Sequence, residues 1–404
     1  MLICEKKKCV GCGACYNICP SKAIKMTADE EGFLYPSINQ SKCTKCGLCK
    51  NVCQANNLEL TENTKRIVFA VKHSDEETRH KSTSGGMFSA LADFIIKQGG
   101  VIYGVEFGKD FYVKHARATD SEGYSKFRGS KYVQSDIGHS YEKVKEDLSD
   151  GKHVLFTGTP CQIAGLNLYL KTYKNKEKLI TCEVLCHGAP SPLMWKEHLT
   201  LIEKERKVKI IDYKNRSKVK GWNTHNEHAF YNNGKNEYKS KLLQNHKDLF
   251  YSHLIIRPSC FECKFAGAPS VADFTIADFW GIDLSINGFN DNKGTSLVIL
   301  NTEKAQRVFE DIKGTLILRQ SNIEDAFKDN HKTPAKWNIN RPNFWKDYKA
   351  HGYLFVVKKY AGYSIRGRLK RSLKILAKNI AEKTGVYNFI HKFTAKKYEK
   401  ETFK

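Results

Sequence analysis

The stretch "CVGCGACYNICP" sets Cys9, Cys12, Cys15 and Cys19 ahead of Pro20, and "CTKCGLCKNVCQ" sets Cys43, Cys46, Cys49 and Cys53 ahead of Gln54. Both follow C-x2-C-x2-C-x3-C, a spacing that lets three thiolates wrap one iron–sulfur cube while the fourth reaches a second cube. One [4Fe–4S] cluster is expected on Cys9, Cys12, Cys15 and Cys53, and another on Cys43, Cys46, Cys49 and Cys19. Gly11, Gly13 and Gly47 suit a close approach of backbone to sulfide. Such centres move electrons singly. Zinc also takes four thiolates, but two complete halves of this pattern argue against it. Gln54 departs from the pattern, since a second proline is usual there, and Cys4 lies outside it as a bystander thiol.

A second constellation is scattered. "PSCFECKFAG" supplies Cys260 and Cys263, half of a four-ligand site. Cys161 follows a short apolar strand at "GTPCQ", and Cys186 follows another at "LCHG". Both are expected at one edge of a parallel sheet, where ligands gather in α/β folds. With Cys260 and Cys263 they would make four thiolates and a third cluster. A buried structural cysteine is the competing reading for Cys161 or Cys186 taken alone. Cys182, four residues before Cys186, reads as core.

Around these lie segments suited to anions. Ser84-Gly85-Gly86 opens one helix, and Gly158-Thr159-Pro160 opens another; free backbone N–H groups at such starts bind phosphate. "FRGSKYVQSD" adds the basic turn Arg128, Gly129, Ser130, Lys131 and Tyr132. Together they suggest a dinucleotide site, yet no G-x-G-x-x-G follows a strand, so a standard Rossmann NAD site is unsupported. His187, beside Cys186, is a candidate proton donor or a hydrogen-bonding structural residue. Asp273 and Asp278, in "ADFTIADFWG", are candidate acids or strand-end caps.

The elements that must position these residues alternate. Strands are expected at 66–73, 101–107, 112–119, 153–158 and 179–186, and helices at 83–100, from Pro160, from Pro192 behind a Ser191 cap, and at 301–313. The expected fold is an α+β, ferredoxin-like two-cluster domain (1–62), then an α/β domain with a central mixed or parallel sheet (63–330). A basic helical extension follows (331–404).

The chain of 404 residues has 41% hydrophobic content, 14 cysteines and a formal net charge of +24. Three clusters, each adding about −2 once their thiolates are counted, would leave it strongly basic. Residues 358–400 interleave Lys and Arg with apolar residues at helical spacing, as in a helix at a membrane interface; a helix docked on its own domain or on a partner subunit fits equally. Lys6, Lys7 and Lys8 lead into cysteines without an apolar stretch, so no signal peptide is read and the expected location is cytoplasmic, with peripheral contact at the inner membrane surface through that tail. No nucleic-acid module accompanies the charge, and nucleic acid is not expected as a partner.

The motifs "TSGGMFSAL", "FRGSKYVQS", "GTPCQIAGL", "CHGAPSP" and "CFECKFAGAPSVADFTIADFWG" resemble, in order, the coenzyme F420 hydrogenase/dehydrogenase beta-subunit family over roughly residues 66–300. The fused amino-terminal module resembles a bacterial branch associated with surface-polysaccharide gene clusters. The resemblance makes the α/β domain (63–330) flavin-binding and implies FAD, one [4Fe–4S] cluster beside it on Cys161, Cys186, Cys260 and Cys263, and electron transfer to an organic substrate. It also implies flavin contacts at Ser84, Gly85, Gly86, Gly129, Ser130, Lys131, Tyr132, Thr157, Thr159 and Gln162, and His187 and Asp278 as catalytic candidates. The expected partners are a donor of ferredoxin or flavodoxin type and an organic substrate. A non-catalytic electron-transfer subunit of a larger redox complex is the other reading.

Overall fold

The computed structural model describes residues 2–58, 60, 66–267, 270–328, 330 and 332–363. The chain divides into two compact units, Met1–Pro342 and Asn343–Lys404. In the second unit the described residues continue a helix (Arg341–Tyr360) broken at Gly352, whose φ is 76°. The basic helix read at 358–400 falls mostly outside the described residues. Among the described residues no helix is long and apolar enough to cross a membrane.

The first unit begins with a two-stranded antiparallel hairpin, β1 (Ile24–Ala28) and β2 (Leu34–Ile38), with Ile24 opposite Ile38. Three one-turn helices, Ala14–Asn17, Leu48–Asn51 and Gln54–Asn57, carry the cysteine loops. This module is not self-contained. Buried Ala14 and Val52 join a hydrophobic cluster with Tyr141, Val144, Ile163 and Leu166 of the body. Burying a side chain of valine or leucine size is worth about 1.5–3 kcal/mol, so such contacts can hold the module against the body.

The body is built on eight strands. They are β3 (Ile67–His73), β4 (Val101–Phe107), β5 (Val113–Ala118), β6 (Val154–Gly158) and β7 (Leu179–Val184), then β11 (Phe274–Asp278), β12 (Ser296–Leu300) and β13 (Leu316–Ser321). A separate three-stranded sheet holds β8 (Ile210–Lys214), β9 (His228–Tyr231) and β10 (Asn236–Tyr238). The large sheet runs β13-β3-β12-β11-β7-β6-β4-β5. Its centre, β4-β6-β7-β11, is parallel, while β5, β12, β3 and β13 pair antiparallel. The expectation of a mixed sheet holds. Strand β6 is buried at every position, as expected for a strand covered on both faces.

The helices behave as their caps require. Ser191 accepts from the Met194 N–H at the start of Pro192–Arg206, and Pro160 opens Pro160–Tyr169 without wasting a donor. Asp273 is structural. Its carboxylate accepts from the Thr181 N–H (2.9 Å) and the Thr302 hydroxyl (2.8 Å), tying β7 to the segment after β12.

Candidate iron–sulfur and cofactor site

In the amino-terminal module, Cys19, Cys43, Cys46 and Cys49 line one small cavity together with Ile24 and Ile38. Cys46 is exposed. The thiols of Cys9, Cys12, Cys15 and Cys53 form a second group, close enough for each to feel the charge of others. The spacing groups the same residues, and Cys15 also feels the charge of Cys49 in the other group. Cys4 is no distant bystander: its thiol bonds those of Cys53 and Cys9, which pulls Cys9 down to about 6.

The body contains a cavity of about 850 Å³ at the carboxyl ends of β6, β7 and β11. Its wall includes Cys161, Cys186, Cys260 and Cys263, drawn from positions as much as 102 residues apart. Cys161 begins the helix after β6, Cys186 follows β7, and Cys260 lies in the short 3-10 turn Pro258–Glu262. Burial pushes the thiols up, Cys161 to about 12 and Cys260 to about 11. A coordinated metal removes such protons outright. The surrounding backbone already favours thiolate: Gly188 N–H donates to Cys186 Sγ and Ala189 N–H to Cys260 Sγ, both at 3.4 Å. Among the described residues no three Cys, His, Asp or Glu side chains converge on a single ion. Thiolates that each bind a different iron of a cube stand wider apart than the ligands of one zinc. Four cysteine side chains are the donor set that a [4Fe–4S] cluster takes.

The flavin-contact candidates divide. Ser84, Gly86, Gly129, Ser130, Lys131, Tyr132, Thr157, Thr159 and Gln162 all reach the cavity wall. Gly85 does not. It packs into the sheet, its N–H donating to Ser296 Oγ (2.9 Å) and its carbonyl accepting from His73 N–H (2.7 Å). Several others spend their polar atoms within the protein. Thr157 Oγ1 donates to the Tyr103 carbonyl (3.0 Å), and the Lys131 ammonium donates to the Lys126 and Arg128 carbonyls (2.8 and 2.9 Å). Gln162 accepts from Thr159 N–H (2.9 Å) and donates to Ser135 (2.9 Å). These side chains shape the wall, whereas the start of the Met87–Lys97 helix, with Gly86 at φ 100° and no side-chain cap, leaves backbone donors for an anion.

The two catalytic candidates sit in different settings. His187 Nε2 lies 3.0 Å from His253 Nε2, and His253 Nδ1 lies 2.9 Å from the Lys336 carbonyl. That nitrogen must donate to a carbonyl, so in the neutral pair His253 Nε2 accepts and His187 Nε2 donates. Asp278 has both oxygens engaged, one in an ion pair with Arg216 and the other accepting from Trp222 Nε1 at 2.7 Å. It therefore holds a buried guanidinium at the cavity wall. Replacing Asp278 with Asn should leave that cation unpaired and cost about 3 kcal/mol in chemical unfolding. A loss below about 0.5 kcal/mol would reject the pairing as the main role.

Sequence reasoning missed Glu183 and Arg257. Glu183 is buried in the wall, accepting from Thr275 Oγ1 at 2.8 Å, and burial pushes its carboxyl up to about 7. Gln54, noted as a departure from the motif, has a tertiary reason: its side chain donates to the Cys161 carbonyl at 2.7 Å. No local pattern signals a partner 107 residues away.

Fold and site together define an iron–sulfur redox protein with an amino-terminal two-cluster module. Residues 8–57 match the 4Fe-4S dicluster domain, and residues 151–326 match the family described as the C terminus of the coenzyme F420 hydrogenase/dehydrogenase beta subunit. The body of the chain is similar to that family over these residues. Over 34 residues the chain is 44% identical to an uncharacterized ferredoxin of Methanocaldococcus jannaschii; the match spans 8% of this chain and less than half, 44%, of that relative. A chain in the F420-reducing [NiFe] hydrogenase complex from Methanosarcina barkeri is similar at 18% identity and a TM-score of 0.44, over 76% of this chain and 95% of that one.

Proposed function

We propose that this protein is an iron–sulfur flavoprotein oxidoreductase with three [4Fe–4S] clusters and one FAD. It takes single electrons from a donor of ferredoxin or flavodoxin type and delivers pairs to an organic substrate. The observation that carries the reading is the single cavity whose wall contains both four cysteines and the glycine-rich helix start at Gly86. At about 850 Å³ the cavity lies within the range of small-molecule and cofactor sites.

In this reading Cys161, Cys186, Cys260 and Cys263 hold one cluster and the Gly86 helix start receives phosphate oxygens. A bound flavin would supply the exchange between single electrons and hydride that clusters lack. The chain's own groups do the rest. His187, its tautomer set by His253, presents a proton at Nε2 that it can share with its partner. Arg216, fixed by Asp278, supplies a positive charge to the same wall. Tyr132, Phe250 and Tyr251 form an aromatic side that limits water.

Anaerobic reconstitution tests this directly. We expect about twelve irons with matching sulfide and about one FAD per chain. About eight irons without flavin would overturn both the body cluster and the flavin. Reoxidation of the flavin by an organic acceptor separates an oxidoreductase from a subunit that only relays electrons.

A further inference from the structure

Arg257 is fully buried, and its charge is not matched in the ordinary way. Its Nε donates to the Cys9 carbonyl (2.7 Å), Nη1 to Gln134 Oε1 (2.9 Å), and Nη2 to the Leu34 carbonyl (3.0 Å) and Cys9 Sγ (3.6 Å). It also lies over the Tyr35 ring at 4.2 Å and the Phe33 ring at 5.5 Å. None of these partners is a carboxylate. Desolvating a lone guanidinium costs several kcal/mol unless a negative charge answers it. Cys9 is the one neighbour among these whose sulfur carries negative charge when it is a cluster ligand.

The sequence accommodates this arrangement. A Cβ on Gly11 would lie 2.7 Å from Arg257 Nη1, so the glycine between Cys9 and Cys12 makes room for the guanidinium. On the other side, the Arg257 carbonyl accepts from Cys260 N–H at 3.0 Å, so the same residue braces the body cysteine loop. Gly165 plays a parallel part, since a Cβ there would meet Cys12 Sγ at 3.0 Å. The Cys9–Cys12–Cys15–Cys53 group is thus the part of the module that abuts the body. The Cys19–Cys43–Cys46–Cys49 group faces outward, with Cys46, Lys42, Lys45 and Lys50 exposed. Charges on those lysines are solvated and screened, whereas that of Arg257 is not.

We infer that Arg257 is the counter-charge of a cluster on Cys9, Cys12, Cys15 and Cys53, and makes it the more readily reduced of the two amino-terminal clusters. This rests on the ligand sets proposed above. An added electron on that cluster is stabilised by the buried cation, so reducing equivalents collect at the end of the module nearest the cavity.

Redox titration of the reconstituted full chain, followed by electron paramagnetic resonance, tests it. In Cys46→Ser, which disables the outer cluster, the surviving module signal should titrate at the higher of the two wild-type module potentials. Arg257→Gln should make one module cluster about tenfold harder to reduce, or about 59 mV lower, and leave the other unmoved. Arg257→Lys, which keeps the charge, should retain most of the wild-type value even if the Gln variant assembles poorly. Equal shifts of both module signals, unmoved signals in Arg257→Gln, or a Lys variant as altered as the Gln variant overturns the proposal. Eight irons with one shifted module signal instead supports it while rejecting the body cluster.

Discussion

Cys260→Ser should lower the iron content of the reconstituted protein from about twelve to about eight per chain while leaving both amino-terminal cluster signals intact. The reason is local and chemical. Cys260 lies on the cavity wall in a short turn braced by Arg257, and its sulfur already accepts a backbone N–H from Ala189. A serine hydroxyl is a far weaker iron ligand than a thiolate, and desolvation holds the three remaining thiols above the ordinary cysteine range without the metal. Substrate turnover driven by an external donor should fall by more than the about 10–100-fold that losing an outer-shell partner of a metal site costs. Iron and sulfide assays with paramagnetic resonance measure it. Unchanged iron would remove Cys260 from the ligand set.

Gly85→Ala should be the most disruptive single methyl addition in the body. A Cβ on Gly85 would stand 2.1 Å from the Val71 carbonyl oxygen and 2.5 Å from the Ser296 N–H nitrogen, both main-chain atoms of adjoining strands. No rotamer change relieves a clash with backbone. The loop must move, breaking the Gly85–Ser296 and His73–Gly85 hydrogen bonds. Overpacking of this kind costs about 1–3 kcal/mol, and each of the two lost bonds about 1 kcal/mol more, so a loss of about 3–5 kcal/mol is expected in denaturant unfolding. The displaced loop carries Ser84 and Gly86 away from the cavity, so FAD content should fall with stability. A variant with wild-type stability and full flavin would refute both the packing argument and the role of this helix start. Lys218 reinforces the expectation: its ammonium donates to the carbonyls of Arg79, Ser84 and Lys293, clamping the loop from outside.

These two substitutions mark different kinds of legibility. The eight amino-terminal cysteines were readable because their spacing is itself the ligand geometry, compressed into two short runs. Strands 101–107 and 153–158, and the helices opened by Pro160 and Pro192, were readable because hydrophobic runs and capping residues act within a few positions. Gly85 was picked out, but for the wrong contact. A glycine pair at a helix start suggests an anion cradle, yet one of the pair serves the sheet. The flavin candidates Thr157, Lys131 and Gln162 were placed at the cavity, but their hydrogen-bond partners lie on other elements, so their commitment to the protein was not visible.

By itself, then, the sequence determined an iron–sulfur module, an α/β body and four further cysteines fit to complete one more centre. Tertiary structure alone decided that Cys161, Cys186, Cys260 and Cys263 share a wall, that Gln54 reaches Cys161, and that Arg257 answers Cys9 across 248 residues. The physical reason is that spacing encodes contacts along a turn or strand, whereas burial of a charge depends on which distant segments exclude water from it. A buried guanidinium and the sulfur it faces are a property of the packed molecule, and no local pattern of residues announces them.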